Sequence, residues 1–129
     1  MLQYEVADCL TRIKNGYAVG KKTVSVRKTK LNIQILAVMQ SKGSIEGVSM
    51  NEEDPFHMNV QLGYSKGRAV MRDVKVHSRP AIRRYYKASK IPLFKSGLSY
   101  GIITTSKGLM TTHQAKKDGV GGELICVVE

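Results

Sequence analysis

The residues with the clearest chemical potential lie in one stretch, TTSKGLMTTHQAKKDGVGGE, from Thr104 to Glu123. Hydroxyl side chains surround one lysine and one glycine there, and the stretch closes with the glycine-rich sequence GVGG. Such a stretch could cradle a phosphate, present Thr105 or Ser106 as a nucleophile, or bind another kind of surface through its hydroxyl groups. The spacing of these residues and the composition of the rest of the chain decide among the three interpretations.

The glycines of this stretch do not have the order of a phosphate-binding loop. A P-loop requires the pattern GxxxxGK[ST] between a strand and a helix, so that backbone amides surround the phosphates. Gly108 and the later group Gly119, Gly121 and Gly122 do not supply that order. The dinucleotide-binding pattern GxGxxG is absent, and the later group precedes a predicted strand rather than a helix. We therefore interpret these glycines as residues of a tight turn that permit close backbone approach.

The hydroxyl residues also lack the partners that a nucleophile needs. A nucleophilic serine or threonine requires a base and an acid that orients the base. His113 is near Ser106 in sequence, but no carboxylate lies between Asp73 and Asp118. The histidines have no metal-ligand spacing, and the two cysteines, at opposite ends of the chain, are interpreted as buried free thiols. The sequence therefore predicts no catalysis, no metal and no other cofactor.

The charge of the chain predicts a polyanionic partner. The 129 residues include 21 Lys and Arg against 10 Asp and Glu, which gives a formal net charge of +11. Two long segments contain no acid, from Asp8 to Glu46 and from Asp73 to Asp118. No apolar run approaches the roughly 20 residues that span a bilayer. Nucleic acid is therefore favoured over a membrane surface as the partner.

Hydrophobic periodicity predicts an α+β fold. The first part is expected to have the order α-β-α-β-β: a helix over 4–19, a strand over 23–27, a helix from Thr29 to Gly43, and strands over 44–50 and 57–64. In that order, Thr29 is suited to be the N-cap of the second helix. The acidic residues Glu52, Glu53 and Asp54 lie in the predicted turn between the last two strands.

The second part is predicted to be mostly antiparallel β-structure with one short helix. The expected elements are extended runs over 69–76, 81–86, 100–104 and 109–111, a helical turn within 90–95, a helix over 112–118, and a final strand over 123–128. Thr111 or Thr112 could cap the helix, and Gly119 could end it. We expect two small, closely packed lobes, an N-terminal α/β lobe over 1–68 and a C-terminal, mainly β lobe over 69–129 that binds RNA.

The hydroxyl-rich turn suits RNA better than DNA. Hydroxyl groups donate and accept hydrogen bonds, so they can bond to base edges, sugar hydroxyls and phosphates. A turn of this kind, flanked by Lys107 and a basic run over 79–95, suits an RNA minor groove or splayed-out bases, where shape and 2′-hydroxyls matter most. Within that run, either Tyr85 or Tyr86 could stack on a base, and the one that faces the core is structural. A general architectural RNA- or DNA-binding protein stays open as the second interpretation.

Several sequence motifs occur together in one order along nearly the whole chain. They are VADCLTRIKN over 6–15, Lys30-Leu31, SRPAIRRY over 78–85, TTSKGLMT over 104–111, and Ala115 followed by GVGGELIC over 119–126. In this combination the chain resembles the bacterial-type family of small-subunit ribosomal protein eight. The resemblance implies a two-domain α+β protein that binds the central domain of small-subunit rRNA early in assembly, beside neighbouring small-subunit ribosomal proteins.

The resemblance also implies which residues contact RNA. In this family the hydroxyl loop of the C-terminal domain holds an irregular stem with a bulged core, so that Thr105 and Ser106 would face bases and sugars. Together with basic residues of the acid-free segments, the whole expected RNA-binding set is Thr29, Lys30, Arg79, Arg83, Arg84, Tyr85, Lys87, Thr104, Thr105, Ser106, Lys107, Gly108 and Lys117. Glu123, with Gly121 and Gly122, is expected to organise the loop, because a carboxylate that faced phosphate would repel it.

The resemblance places the protein on the ribosome of a bacterium or of an organelle, either a mitochondrion or a plastid. It implies no membrane partner and no small-molecule substrate. The chain departs from the family pattern at Tyr4-Glu5, Arg27, Ala81, Ser99 and Thr112. These departures are typical of a divergent member and leave the hydroxyl loop intact.

Overall fold

A computed structural model describes residues 2–78, 83–92, 94 and 99–129, with side chains from residue 5 onward. Its contacts divide the chain into two compact units, Met1–Asp73 and Val74–Glu129. The division falls five residues after the position expected from the sequence. Among the described residues, no helix has the length and hydrophobicity needed to cross a membrane.

The first unit contains two helices and a three-stranded antiparallel sheet. Its elements are α1 (Leu2–Ala18), β1 (Thr23–Arg27), α2 (Lys30–Ser41), β2 (Gly47–Met50) and β3 (His57–Gln61), and the strand order is β1-β3-β2. Inward and outward residues alternate in β1 and β3, so that Val26 and Met58 are buried. Leu10 and Ile35 of the helices join them in the core. The predicted order α-β-α-β-β is confirmed.

The first residue of α2 could be predicted because a capping side chain precedes it. The Thr29 side chain accepts a hydrogen bond from the Asn32 backbone N–H at 3.0 Å, which satisfies one of the unpaired amides of the first turn. Lys42 forms the C-cap, and Gly43 follows with a φ of 78°. Both ends of the helix are therefore fixed by local chemistry, and the N-cap prediction is confirmed.

The predicted strand over 57–64 was too long. It ends at Gln61, and Tyr64–Ser65 (β4) instead pairs with Arg68–Ala69 (β5) in a separate two-stranded hairpin. The reason lies at Gly63, whose N–H donates to the Tyr17 hydroxyl at 3.0 Å rather than to a neighbouring strand. The predicted run over 69–76 is likewise divided, because β5 and Val74–Val76 (β6) belong to different sheets.

The second unit is a mainly antiparallel sheet with a short helix. After β6 it contains β7 (Tyr85–Tyr86), a 3₁₀ turn (Ala88–Lys90), β8 (Tyr100–Thr105), β9 (Gly108–Thr111), α3 (Thr112–Asp118) and β10 (Gly122–Val128). The sheet order is β6-β10-β8-β9, and the short β7 also pairs with β10. Residues 123–128 of β10 are buried without alternation, as expected for a strand covered on both faces.

The short helix α3 has the predicted bounds. The Thr111 hydroxyl accepts a hydrogen bond from the Gln114 N–H at 3.2 Å, and Gly119 ends the helix in the left-handed conformation at a φ of 70°. The helical turn expected within 90–95 lies slightly earlier, at Ala88–Lys90. Of the extended run expected over 81–86, positions 81 and 82 lie outside the described residues.

Candidate nucleic-acid interface

The turn between β8 and β9 is braced by the hydroxyl group of Thr105. Thr105 lies opposite Gly108 in the strand register, with Ser106 and Lys107 between them. The Thr105 hydroxyl donates to the Gly108 carbonyl oxygen at 2.8 Å and accepts from the Lys107 N–H at 3.1 Å. Because these two bonds cross the turn, Thr105 fixes its shape and retains one lone pair for another partner.

Ser106 and Lys107 form the exposed tip of this turn. Within the described part of the chain, no hydrogen bond to Ser106 is formed, and its hydroxyl therefore faces solvent with its full bonding capacity. Among all the residues that the structure describes, no group of three His, Cys, Asp or Glu side chains could hold a metal ion. The tip thus presents one hydroxyl and one ammonium group, which can bind an oxygen-rich partner.

The sheet places the hydroxyl turn beside the tyrosine pair. On one edge of β10, Gly122 pairs with Thr105 and Glu123 pairs with Thr104. On the other edge, the same two residues pair with Tyr86 and Tyr85. The hydroxyl turn and the basic segment that contains the tyrosines therefore lie at the same end of one sheet, although some 20 residues separate them in sequence.

Two glycines allow the three strands to approach one another. A Cβ atom on Gly122 would overlap the carbonyl oxygen of Thr104, and one on Gly121 would overlap the carbonyl oxygen of Tyr86. Both obstacles are backbone atoms, which cannot rotate away as a side chain can. The absence of a side chain at these positions is therefore what brings β7 and β8 close to this end of β10.

The carboxylate of Glu123 is buried beneath the candidate interface. The residue is 4% exposed, and its Oε1 lies 3.9 Å from Nη1 of Arg83. At this separation the two side chains form an ion pair, but these two atoms are too far apart for a hydrogen bond. Arg83 itself remains half-exposed. The negative charge is thus kept away from the surface that an RNA phosphate would meet, while the arginine covers it.

The structure separates the roles of the two tyrosines. Tyr85 is 66% exposed, whereas Tyr86 packs against a buried cluster of Ile91, Ile103 and Ala115. Tyr86 is therefore the structural member of the pair. Tyr85 presents its ring to solvent at the end of the sheet, where it could stack on a base.

Several of the predicted RNA-binding cations of the second unit are exposed. Arg84, Lys87, Lys107 and Lys117 all have exposed side chains. Burial, followed by the nearby charges of Arg84 and Lys75, lowers the pKa of His77 below its usual value, so that this histidine is neutral at neutral pH. Arg79, which was also expected to bind RNA, lies outside the described residues.

Ser78 is a residue of the site whose role was not predicted from the sequence. It is 1% exposed, and its hydroxyl donates to the Leu124 carbonyl at 2.7 Å and accepts from the Arg84 N–H at 3.0 Å. The Leu124 N–H in turn donates to the Arg84 carbonyl at 2.8 Å. The backbone of Arg84 is thereby attached to β10 while its side chain stays exposed. The position of Ser78 at the start of the SRPAIRRY motif is the sequence feature that could have indicated this role.

Thr29 and Lys30 belong to the first unit and are described separately from this surface. Lys30 is exposed at the first position of α2. The hydroxyl of Thr29 already serves as the cap of the helix, so that, like Thr105, it has a structural role besides the predicted contact with RNA.

Comparison with known proteins identifies the family. The family model described as ribosomal protein S8 matches residues 5–128. The small ribosomal subunit protein uS8 of Cellvibrio japonicus is 39% identical over 127 residues, which cover 98% of both chains. The proteins of the same name from Pseudomonas fluorescens and Neisseria meningitidis are 38% identical over 127 residues and 39% identical over 123 residues, covering 98% and 95% of both chains. The chain belongs to the ribosomal protein S8 family.

Proposed function

We propose that this protein binds the central domain of small-subunit rRNA early in assembly and remains there as a structural, non-catalytic constituent of the subunit. Family membership supports the ribosomal role. The contact with rRNA is supported above all by one observation: β10 holds the Ser106 turn and Tyr85 at the same end of one sheet, in a chain with a net charge of +11.

Within this surface, the charged side chains and the Ser106 and Tyr85 side chains have different roles in binding. Lysine and arginine side chains supply affinity for any phosphate backbone, which depends on salt but not on sequence. The Tyr85 ring can stack on a base, and the Ser106 hydroxyl can bond to a base edge, where an irregular stem leaves bases unstacked and unpaired, whereas a regular helix keeps its bases stacked and paired. A stem with a bulged core therefore fits the surface better than a regular duplex does.

The direct test is a binding comparison at physiological salt between two RNAs of equal length. One is the isolated stem of the small-subunit central domain with its bulged core, and the other is a fully paired duplex of unrelated sequence. We expect the protein to bind the bulged stem more tightly. Equal affinity for the two RNAs would instead indicate a general architectural nucleic-acid binder.

Early assembly is tested separately by footprinting on the intact small-subunit rRNA without other proteins. We expect protection of the central domain under these conditions. A requirement for another ribosomal protein before any protection appears would contradict the proposed early role, while leaving the preference for the bulged stem intact.

A further inference from the structure

The first unit contains a cationic groove that the interface described above does not use. Its volume is about 490 Å³, and its lining includes Lys14 and Tyr17 of α1 together with Arg68, Met71 and Arg72 from β5 and the segment that follows it. The three basic residues are exposed, whereas Tyr17 is 8% and Met71 is 2% exposed. We call this feature the Arg68–Arg72 groove.

Two of the three cations in the groove have no acidic partner among the residues that the structure describes. Nζ of Lys14 lies 2.8 Å from Oδ1 of Asp73, so that this charge is balanced. Within the described ranges, no carboxylate forms an ion pair with Arg68 or Arg72. The groove therefore carries uncompensated positive charge on two guanidinium groups, which favours an anionic occupant.

The wall that carries Arg68 is held in place by tyrosine hydroxyls. Tyr64 of β4 donates to the Lys21 carbonyl oxygen at 2.6 Å, and Tyr17 accepts the Gly63 N–H at 3.0 Å. The rings of Tyr17 and Tyr64 meet edge to face, with centroids 5.5 Å apart. The β4–β5 hairpin is thus attached to α1 and its following loop, and the groove has its shape before a partner binds.

The same hairpin adds polar groups next to the groove. Ser65 pairs with Arg68 across the two strands, and Lys66 occupies the turn with a φ of 54°. The sequence Ser-Lys-Gly at 65–67 repeats that of the Ser106 turn, although here lysine and glycine make the turn. All of the residues from Tyr64 to Arg68 are exposed.

We propose that the Arg68–Arg72 groove is an additional RNA site, which binds the phosphodiester backbone. Guanidinium groups match phosphate oxygens in geometry and charge. An acidic protein segment would share the negative charge, and the test below distinguishes it from RNA. The choice of RNA as the polyanion rests on the proposed function.

The test uses the full chain with Arg68→Gln and Arg72→Gln combined, and a transcript of the whole small-subunit rRNA as the probe. For two lost phosphate contacts, the slope of log affinity against log salt should become shallower by about 1.4 to 1.8. The matched control is Lys28→Gln combined with Lys42→Gln, which removes the same charge from exposed residues of the first unit outside the groove lining. Its slope should change less.

A slope that changes equally in the groove variant and the lysine control would overturn the proposal. So would an unchanged RNA slope accompanied by loss of binding to polyglutamate, which would assign the groove to an acidic protein segment. Arg68→Lys with Arg72→Lys keeps the charge and should restore most of the slope. The wild-type protein could show no preference for the bulged stem while the groove variant still has a shallower salt slope. That result would contradict the proposed function but would support RNA binding by the groove.

Discussion

At the scale of single residues, Thr105 and Ser106 show how two adjacent hydroxyl groups acquire different roles. The Thr105 hydroxyl makes two hydrogen bonds within its own turn, and the Ser106 hydroxyl faces solvent. The sequence predicts both as RNA contacts, because side-chain type alone does not reveal which hydroxyl the turn itself consumes. Only the backbone geometry of the turn separates them.

Ser106→Ala and Thr105→Ala should therefore differ in what they change. We expect Ser106→Ala to weaken binding to the bulged stem by about 1–3 kcal/mol, because RNA polar groups lose their partner, while the free energy of unfolding changes by less than about 0.5 kcal/mol. Thr105→Ala should weaken binding and also speed hydrogen exchange at the Lys107 amide. Thr105→Ser retains the hydroxyl and serves as the control. Unaltered exchange in Thr105→Ala would contradict the role assigned to this hydroxyl.

The tyrosine pair allows a second residue-scale prediction. Tyr85→Ala should reduce RNA affinity by about 1–3 kcal/mol through lost stacking and leave stability nearly unchanged, because the ring is 66% exposed. Tyr86→Ala should instead lower the urea midpoint, since this ring packs on the core cluster. Tyr85→Phe keeps the ring and should bind almost as the wild type does. A loss of stability in Tyr85→Ala comparable to that in Tyr86→Ala would contradict this assignment.

At the scale of elements, the predictable parts are those whose determinants are local. The capping threonines Thr29 and Thr111 and the left-handed Gly119 lie next to the helices they bound, and both helices appear where the sequence predicts them. The separation of the β4–β5 hairpin from β3 was not predicted, because a hydrogen bond from Gly63 to the distant Tyr17 interrupts the strand. The pairing of β7 with β10, on which the site depends, is also a long-range contact that periodicity cannot show.

A substitution at the start of β10 tests whether the close approach of β8 depends on the missing side chain of Gly122. Gly122→Ala should lower the free energy of unfolding by about 1–3 kcal/mol, because the added methyl group overlaps the Thr104 carbonyl and forces β8 away. Gly47→Ala in β2 is the control, since the nearest atom to its added Cβ is the flexible Gln61 Oε1 at 3.4 Å. Urea denaturation compares the two variants. Equal and small losses would show that β8 does not depend on this close approach.

At the scale of the whole molecule, the distribution of charge is the feature that the sequence reveals most directly. The net charge of +11 and the two acid-free segments predict a polyanionic partner without any knowledge of the fold. Composition could not show that the one acid at the centre of the site, Glu123, is buried beside Arg83. Nor could it reveal the Arg68–Arg72 groove, whose residues are brought together by the hairpin and α1.

Lys117 tests the general electrostatic contribution. It lies exposed in the last turn of α3, away from the Ser106 turn in sequence. Lys117→Gln should weaken binding to the bulged stem and to a regular duplex by the same factor, and should reduce the salt slope by about 0.7–0.9 for one lost phosphate contact. Ser106→Ala should leave the slope unchanged. Weakening confined to the bulged stem would show that Lys117 contributes to recognition rather than to general affinity.

The two hydrogen bonds of Thr105 also bear on the entropy of recognition. Fixing one backbone residue in a single conformation costs about 1–2 kcal/mol. In the Ser106 turn this loss occurs when the protein folds, because Thr105 already holds Gly108 and the Lys107 amide. In the proposed complex, the backbone of this turn would therefore lose little further conformational freedom, whereas the exposed side chains of Ser106 and Lys107 would still be ordered on binding. A smaller part of the interaction energy of the turn would then be offset by ordering of the protein backbone.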